Sequence, residues 1–163
     1  MDPAAGSALT AIERSVLATA MRQELWLYPS VEIVHILGFV TLVGSIAVLD
    51  LRLLGISRAL PVRNLARHVL PWSLGALLLI VPTGLLMFMA HASDFIGNRA
   101  FVVKLILIAA AGFNAAAFHM GAYRSVAQWD HGVDTPPSAK LHAAASLMTW
   151  FGVIACGRLL AYL

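Results

Sequence analysis

The sequence predicts an all-α integral-membrane protein: a four-helix up-down bundle with a short N-terminal interfacial helix. Three observations carry that expectation. Hydrophobic residues make up 60% of the 163, against roughly half in soluble domains. Charged residues are only 12%, about half the usual share, and the mean hydropathy is +0.83. Four apolar runs also reach the ~20 residues that a bilayer-crossing helix needs. Short connections separate them and leave no room for a soluble domain, so ATPases, kinases and large extramembrane enzymes are not expected. The net charge of +3 sits at membrane-flanking positions and gives no reason to invoke nucleic acid.

Residues 1–28 form the N-terminal unit. Thr10 and Glu13 have capping-box spacing, in which each side chain satisfies the other's backbone N–H, so a helix is expected from Thr10 to Leu27. Leu9, Ile12, Val16 and Ala20 give it a loose apolar stripe. Trp26 and Tyr28 before Pro29 mark the membrane interface. Glu13 and Arg14 interrupt what would otherwise resemble a secretory leader.

Residues 29–163 form the bundle. Span one is expected over about 30–54, span two over 67–89 with Pro82 bending it, span three over 100–120, and span four over 138–162. Pro136-Pro137 suits the first turn of span four. Cys156, the only cysteine, reads as a small packing residue. Arg52, Arg58, Arg63, Arg67, Arg124 and Lys140 lie at the end reached after span one. Arg14, Arg22, Arg99, Lys104 and Arg158 lie at the other. The bias is strongest in the short loops, and the positive-inside rule then puts both termini outside, in the periplasm of a bacterial inner membrane. Asp50 and Arg52 leave span one where snorkelling explains them. Glu32, Lys104 and Arg158 share one level, which predicts a structural ion pair, with a haem propionate or anionic lipid as the alternative. Asn114, mid-span, is expected to join helices.

Six histidines carry the functional question. His35 lies one to two turns into span one, and His91 ends span two at the same level. His68, His119 and His142 come from three different spans and converge on the opposite level. His131 is in a loop. An ionisable group inside a span is costly unless paired or bound, although imidazoles at helix ends are also often simply hydrated. Gly75 lies two turns deeper than His68, and Gly112 two turns deeper than His119. Small residues there mean either close helix packing or room for a flat macrocycle between imidazoles, and neutral imidazole is a standard axial ligand of haem iron.

The segments HILGFVTLVGSIAVLDLRLLG, HVLPWSLGALLLIVPTGLLMF and FVVKLILIAAAGFNAAAFH resemble those of a family of small uncharacterised bacterial integral-membrane proteins. In helix count and end-placed histidines the chain is similar in style to b-type cytochromes and copper-resistance membrane proteins. The residues and this likeness together point to haem b held by two of His68, His119 and His142, with His68 and His142 expected to pair from diagonal helices. His35 is the candidate for a second site. The function expected is electron transfer with quinone or a partner subunit, as a possible oxidoreductase component. A different class is a site in which His68, His119, His142 or His35 holds Cu, Zn or Fe directly. A third is a structural or assembly subunit, a homo-oligomer included, packing through Ala111, Gly112 and Ala115.

Overall fold

A computed structural model describes residues 3–160 and residue 162, with side chains from residue 8. Every regular element among them is helical: α1 (Pro3–Glu13), α2 (Val16–Gln23), α3 (Leu27–Leu53), α4 (Val62–Ala90), α5 (Ala92–Gly97), α6 (Arg99–Met120) and α7 (Pro137–Leu159), with a 3-10 helix over Ala122–Gln128. Helices α3, α4, α6 and α7 are long and apolar enough to cross a membrane. Their outer surfaces are oily: Leu78, Phe113 and Phe151 are each more than three-quarters exposed. An apolar surface of this extent marks contact with a membrane or another protein rather than with water.

The helix ends follow local chemistry. Asn98 caps α6 by accepting from the Ala100 N–H at 2.8 Å. Pro137 opens α7, where a missing N–H costs nothing. Gly55 ends α3 at φ +108°, and Ile56 N–H reaches back to the Leu51 carbonyl at 3.0 Å, a Schellman closure. Span two begins earlier than the apolar run suggests, at Val62 rather than Arg67. Its N-terminus is capped from far along the chain: Val62 N–H donates to the Asp130 carbonyl at 3.0 Å, and Arg63 N–H to Asp130 Oδ1 at 2.7 Å.

Neighbouring helices run antiparallel. On α3 and α4, His35 meets Thr83 while Leu49 and Leu53 cluster with Val62 and Ala66. On α6 and α7, Lys104 approaches Gly157 while Asn114 meets His142. Helix α3 also packs on α7, with the Phe39 and Trp150 rings 6.1 Å apart. The backbone of α4 comes within 8 Å of neither α6 nor α7 among the described residues. The side between α4 and α6 is therefore spanned by side chains. At one end Phe88, Phe95 and Phe101 stack, with centroids 5.1–6.4 Å apart. At the other Phe118 joins Val69, Trp129 and Ala143 in the main core.

The N-terminal segment differs from the single helix expected over Thr10–Leu27. It breaks at Arg14-Ser15 into two helices, and Ser15, which accepts from the Ala18 N–H at 3.3 Å, caps the second. Thr10 lies inside α1 rather than at its start. Ala18 and Met21 are buried against the bundle, while Val16, Leu25 and Trp26 are 75–86% exposed. Arg22 bridges the Ala90 carbonyl at the end of α4 (2.8 Å) and the Glu13 carbonyl (2.6 Å). Glu13 Oε1 accepts from Ser93 Oγ at 2.5 Å and Ser93 N–H at 2.8 Å. These bonds, the hydroxyl's first, hold the Glu13 carboxyl below its ordinary 4.5. A depressed carboxyl stabilises fully above its unfolded value and loses that contribution as pH falls through the lower folded one. The docking is thus expected to be intact at neutral pH and to loosen only below pH 4.5, seen as faster amide exchange at Ser93. Exchange that stays flat through the acid range counts against the contact.

Candidate functional site

Two places in the bundle hold histidines in defined chemical states. The first lies between α6 and α7. His142 Nδ1 is 2.8 Å from Asn114 Oδ1, and Asn114 Nδ2 donates to the His142 carbonyl at 2.9 Å. A carbonyl only accepts, so the amide nitrogen must face it, and Oδ1 must face the ring. Oδ1 also only accepts, so Nδ1 carries a proton, and in the neutral imidazole Nε2 is then the nitrogen with the lone pair. His119, the next helix over, puts Nδ1 2.8 Å from the Ala115 carbonyl and reaches the same tautomer by the same logic. The Phe118 ring touches both imidazoles, 5.3 Å from His119 and 6.0 Å from His142. Tyr123 closes on His119 at 5.2 Å.

The second place is around His35, where all four long helices meet. Thr83 Oγ1 donates its one proton to the Leu79 carbonyl at 2.6 Å. It is then an acceptor for His35 Nδ1 at 2.9 Å, and Nε2 again keeps the lone pair. Gly84 lies against the ring: a Cβ there would sit 3.1 Å from His35 Cε1. Beside His35 is a cavity of about 200 Å³, lined by Ile36 and Phe39 of α3, Lys104 of α6, and Val153, Ile154 and Gly157 of α7. The expected Glu32–Lys104–Arg158 ion pair is not formed. Among the described residues no carboxylate lies within 4.0 Å of Lys104, and Arg158 turns to Tyr162, donating to its hydroxyl at 2.5 Å and lying over its ring.

The other predicted positions are not assembled with these. His68 is exposed and lies about 120° around α4 from the stripe packed on α3, at 100° per residue. Helices α4 and α7 are not neighbours, so His68 and His142 are not brought face to face. Among the described residues no three of His, Cys, Asp and Glu form a metal-sized group. Gly75 and Gly112 would meet nothing within 4 Å, so they leave open space rather than close contacts. His91 sits edge-on to Tyr28 at 5.9 Å and 3.7 Å from Asp94, and His131 is exposed. Arg52 does not snorkel: it is 2% exposed. Asp50 is buried beside it in sequence, facing Ser146, with Oδ2 unpartnered among the described residues.

Sequence reasoning did not single out Thr83, Gly84 or Phe118, and it read Asn114 as glue between helices. Asn114 does join α6 to α7, but through the histidine. The spacing of 28 residues between Asn114 and His142 carries no periodic signal. A glycine and a threonine inside an apolar run were the only traces of the His35 support.

Against known proteins, a family model described as a family of unknown function (DUF6644) matches residues 13–163. No curated protein and no solved structure matches the chain.

Proposed function

The chain belongs to the DUF6644 family, and we propose that it is a haem b-binding electron-transfer protein of the bacterial inner membrane. In this reading it exchanges electrons with quinone or a partner subunit. The four long helices cross the bilayer as an up-down bundle. The N-terminal helices lie on the outer surface, with Val16, Leu25 and Trp26 exposed to it, and both termini are periplasmic.

One observation carries the proposal. In His35, His119 and His142 alike, an oxygen acceptor holds Nδ1–H, so that in the neutral imidazole Nε2 is the nitrogen open to a ligand. That is the tautomer an iron ligand needs, and an acceptor on the far nitrogen is the usual support of a ligating imidazole. The imidazoles are also supplied singly or in pairs. A bare metal needs three or four protein ligands, whereas a macrocycle brings four of its own and asks for one or two axial ones. The donor set therefore fits haem better than a naked ion.

His142 is the favoured ligand, because Asn114 holds both its ring Nδ1 and its backbone carbonyl. His119, against the same Phe118 ring, is the second candidate. Gly112, with no neighbour at its Cβ position, leaves space on α6 two turns from His119. Haem iron supplies a one-electron couple; the chain supplies ligand, tautomer and apolar surroundings. The test is a visible spectrum of purified protein, oxidised and then reduced with dithionite. A Soret band with sharp reduced α and β bands is expected in wild type and absent in His142→Ala. Asn114→Ala should lower haem occupancy by about tenfold or more, the usual cost of losing such a support. His68→Ala should leave the bands unchanged. A featureless spectrum from folded, haem-supplied protein removes the proposal.

A further inference from the structure

We infer that the cavity beside His35 binds the ring of a lipid-soluble quinol, with His35 Nε2 and Lys104 Nζ gripping its two oxygens. The argument starts from what the two groups can do. His35 Nδ1 is committed to Thr83, whose own proton is committed to Leu79. In the neutral imidazole Nε2 is then the free acceptor, and His35 lines the cavity. Lys104 is an ammonium, a donor only, in a helix apolar enough to span a membrane, with no carboxylate within 4.0 Å among the described residues. A cation inside a span marks a functional site unless it is paired.

A ligand that satisfies both must offer a hydroxyl donor to one side and an acceptor oxygen to the other. A simple anion satisfies Lys104 but has no proton for His35. A second cation fails at Lys104. A hydroquinone ring carries both functions on a flat apolar body. The remaining walls, Phe39, Val153 and Ile154, are apolar and suit that body. Size agrees: about 200 Å³ is below the ~300–1,000 Å³ of pockets for drug-sized ligands, so it admits a single ring and not a porphyrin. Ile36 and Ile154 at its edge are 51% and 45% exposed, which places the mouth on the lipid-facing side, where an isoprenoid tail would remain in the bilayer. Gly157 keeps the floor open: a Cβ there would lie 3.8 Å from Lys104 Nζ. The inference takes its partner class from the electron-transfer reading, but binding itself needs no haem.

The experiment is anaerobic calorimetric titration of the detergent-solubilised full chain with a short-tailed benzoquinol, and separately with its quinone. Saturable binding of the quinol is expected. The quinone should bind more weakly, because it has no hydroxyl to give His35. Lys104→Met keeps the shape and removes the donor, and should raise Kd by about tenfold, the loss of one charged hydrogen bond. Gly157→Leu fills the cavity and should abolish binding while the His35 acceptor and the Lys104 donor both remain. No saturable binding, equal affinity in wild type and both variants, or quinone bound as tightly as quinol overturns the inference. So does occupancy by phosphatidylglycerol with no affinity for quinol, which would assign the cavity to an anionic headgroup. A colourless protein that binds quinol, or a haem-bearing one that does not, tells the two failures apart.

Discussion

Arg52→Met is expected to destabilise the protein by about 1–3 kcal/mol, through the loss of the guanidinium's hydrogen bonds to two loops. The guanidinium donates from Nε to the Leu60 carbonyl at 2.6 Å, and from Nη2 to the carbonyls of Arg58 and Asp130, both at 3.2 Å. It thereby ties the α3–α4 loop to the loop before α7. The same Asp130 caps α4, and Trp129 beside it is 3% exposed in the core. Removing the guanidinium leaves the Leu60 carbonyl without this donor, while the Asp130 and Arg58 carbonyls keep the Val62 and Gly132 N–H groups at 3.0 and 3.4 Å; a carbonyl so orphaned costs about 1–3 kcal/mol when water cannot replace its donor. Arg52→Lys should recover only part of the loss, because an ammonium on a flexible stem lacks the planar fork that meets carbonyls from two loops. Reversible unfolding in mixed detergent, followed by tryptophan fluorescence, measures both. If Arg52→Met unfolds within about 0.5 kcal/mol of wild type, as an ordinary surface change would, the junction has been misread.

The second large effect is expected at Gly38, where α3 and α4 approach most closely. A Cβ there would sit 3.0 Å from Ile80 Cγ1 and 3.4 Å from the Ala76 carbonyl. Ile80 can shift by a few tenths of an ångström, but the carbonyl belongs to a helix backbone and cannot. Lipid tails are as apolar as leucine, so close packing and polar contacts, rather than water exclusion, hold spanning helices together. Gly38→Val should therefore cost about 1–3 kcal/mol by overpacking and lower the midpoint of thermal unfolding. Gly44→Val is the matched control. It lies on the same helix, and a Cβ there meets nothing within 4 Å. Equal behaviour of the two variants would show that close approach at Gly38 does not hold the hairpin.

Some of the candidate site could be read from sequence, and the reason is local. His35, His119 and His142 stood out because an imidazole in an apolar run is expensive wherever it lies. The Pro137 helix start was visible for the same reason: a missing donor belongs to a single residue. Partners were not visible. Nothing in the spacing of Glu13 and Ser93, 80 residues apart, announces their hydrogen bonds. Nothing in Asn114 distinguishes a clamp on His142 from any other polar group between helices. Gly75 and Gly112 drew attention as small residues below histidines, yet Gly38, Gly84 and Gly152 are the glycines that meet another helix closely.

The sequence by itself determined that the chain is helical, that four of its helices are long and apolar enough for a bilayer, and where most of them begin and end. Hydropathy and capping are properties of short stretches, and about 20 consecutive apolar residues suffice to specify a span. Only the tertiary structure decided that Arg52 is a buried tie and not a snorkelling charge. It likewise separated His68 from His142, and it left Lys104 without the carboxylate expected for it. It also decided which oxygen meets Nδ1 of His35 and of His142, because a neighbouring helix delivers each one. Helix rotation sets that delivery. In a bundle whose every face is apolar, only a few close contacts and buried hydrogen bonds fix the rotation, and a hydropathy pattern does not record them.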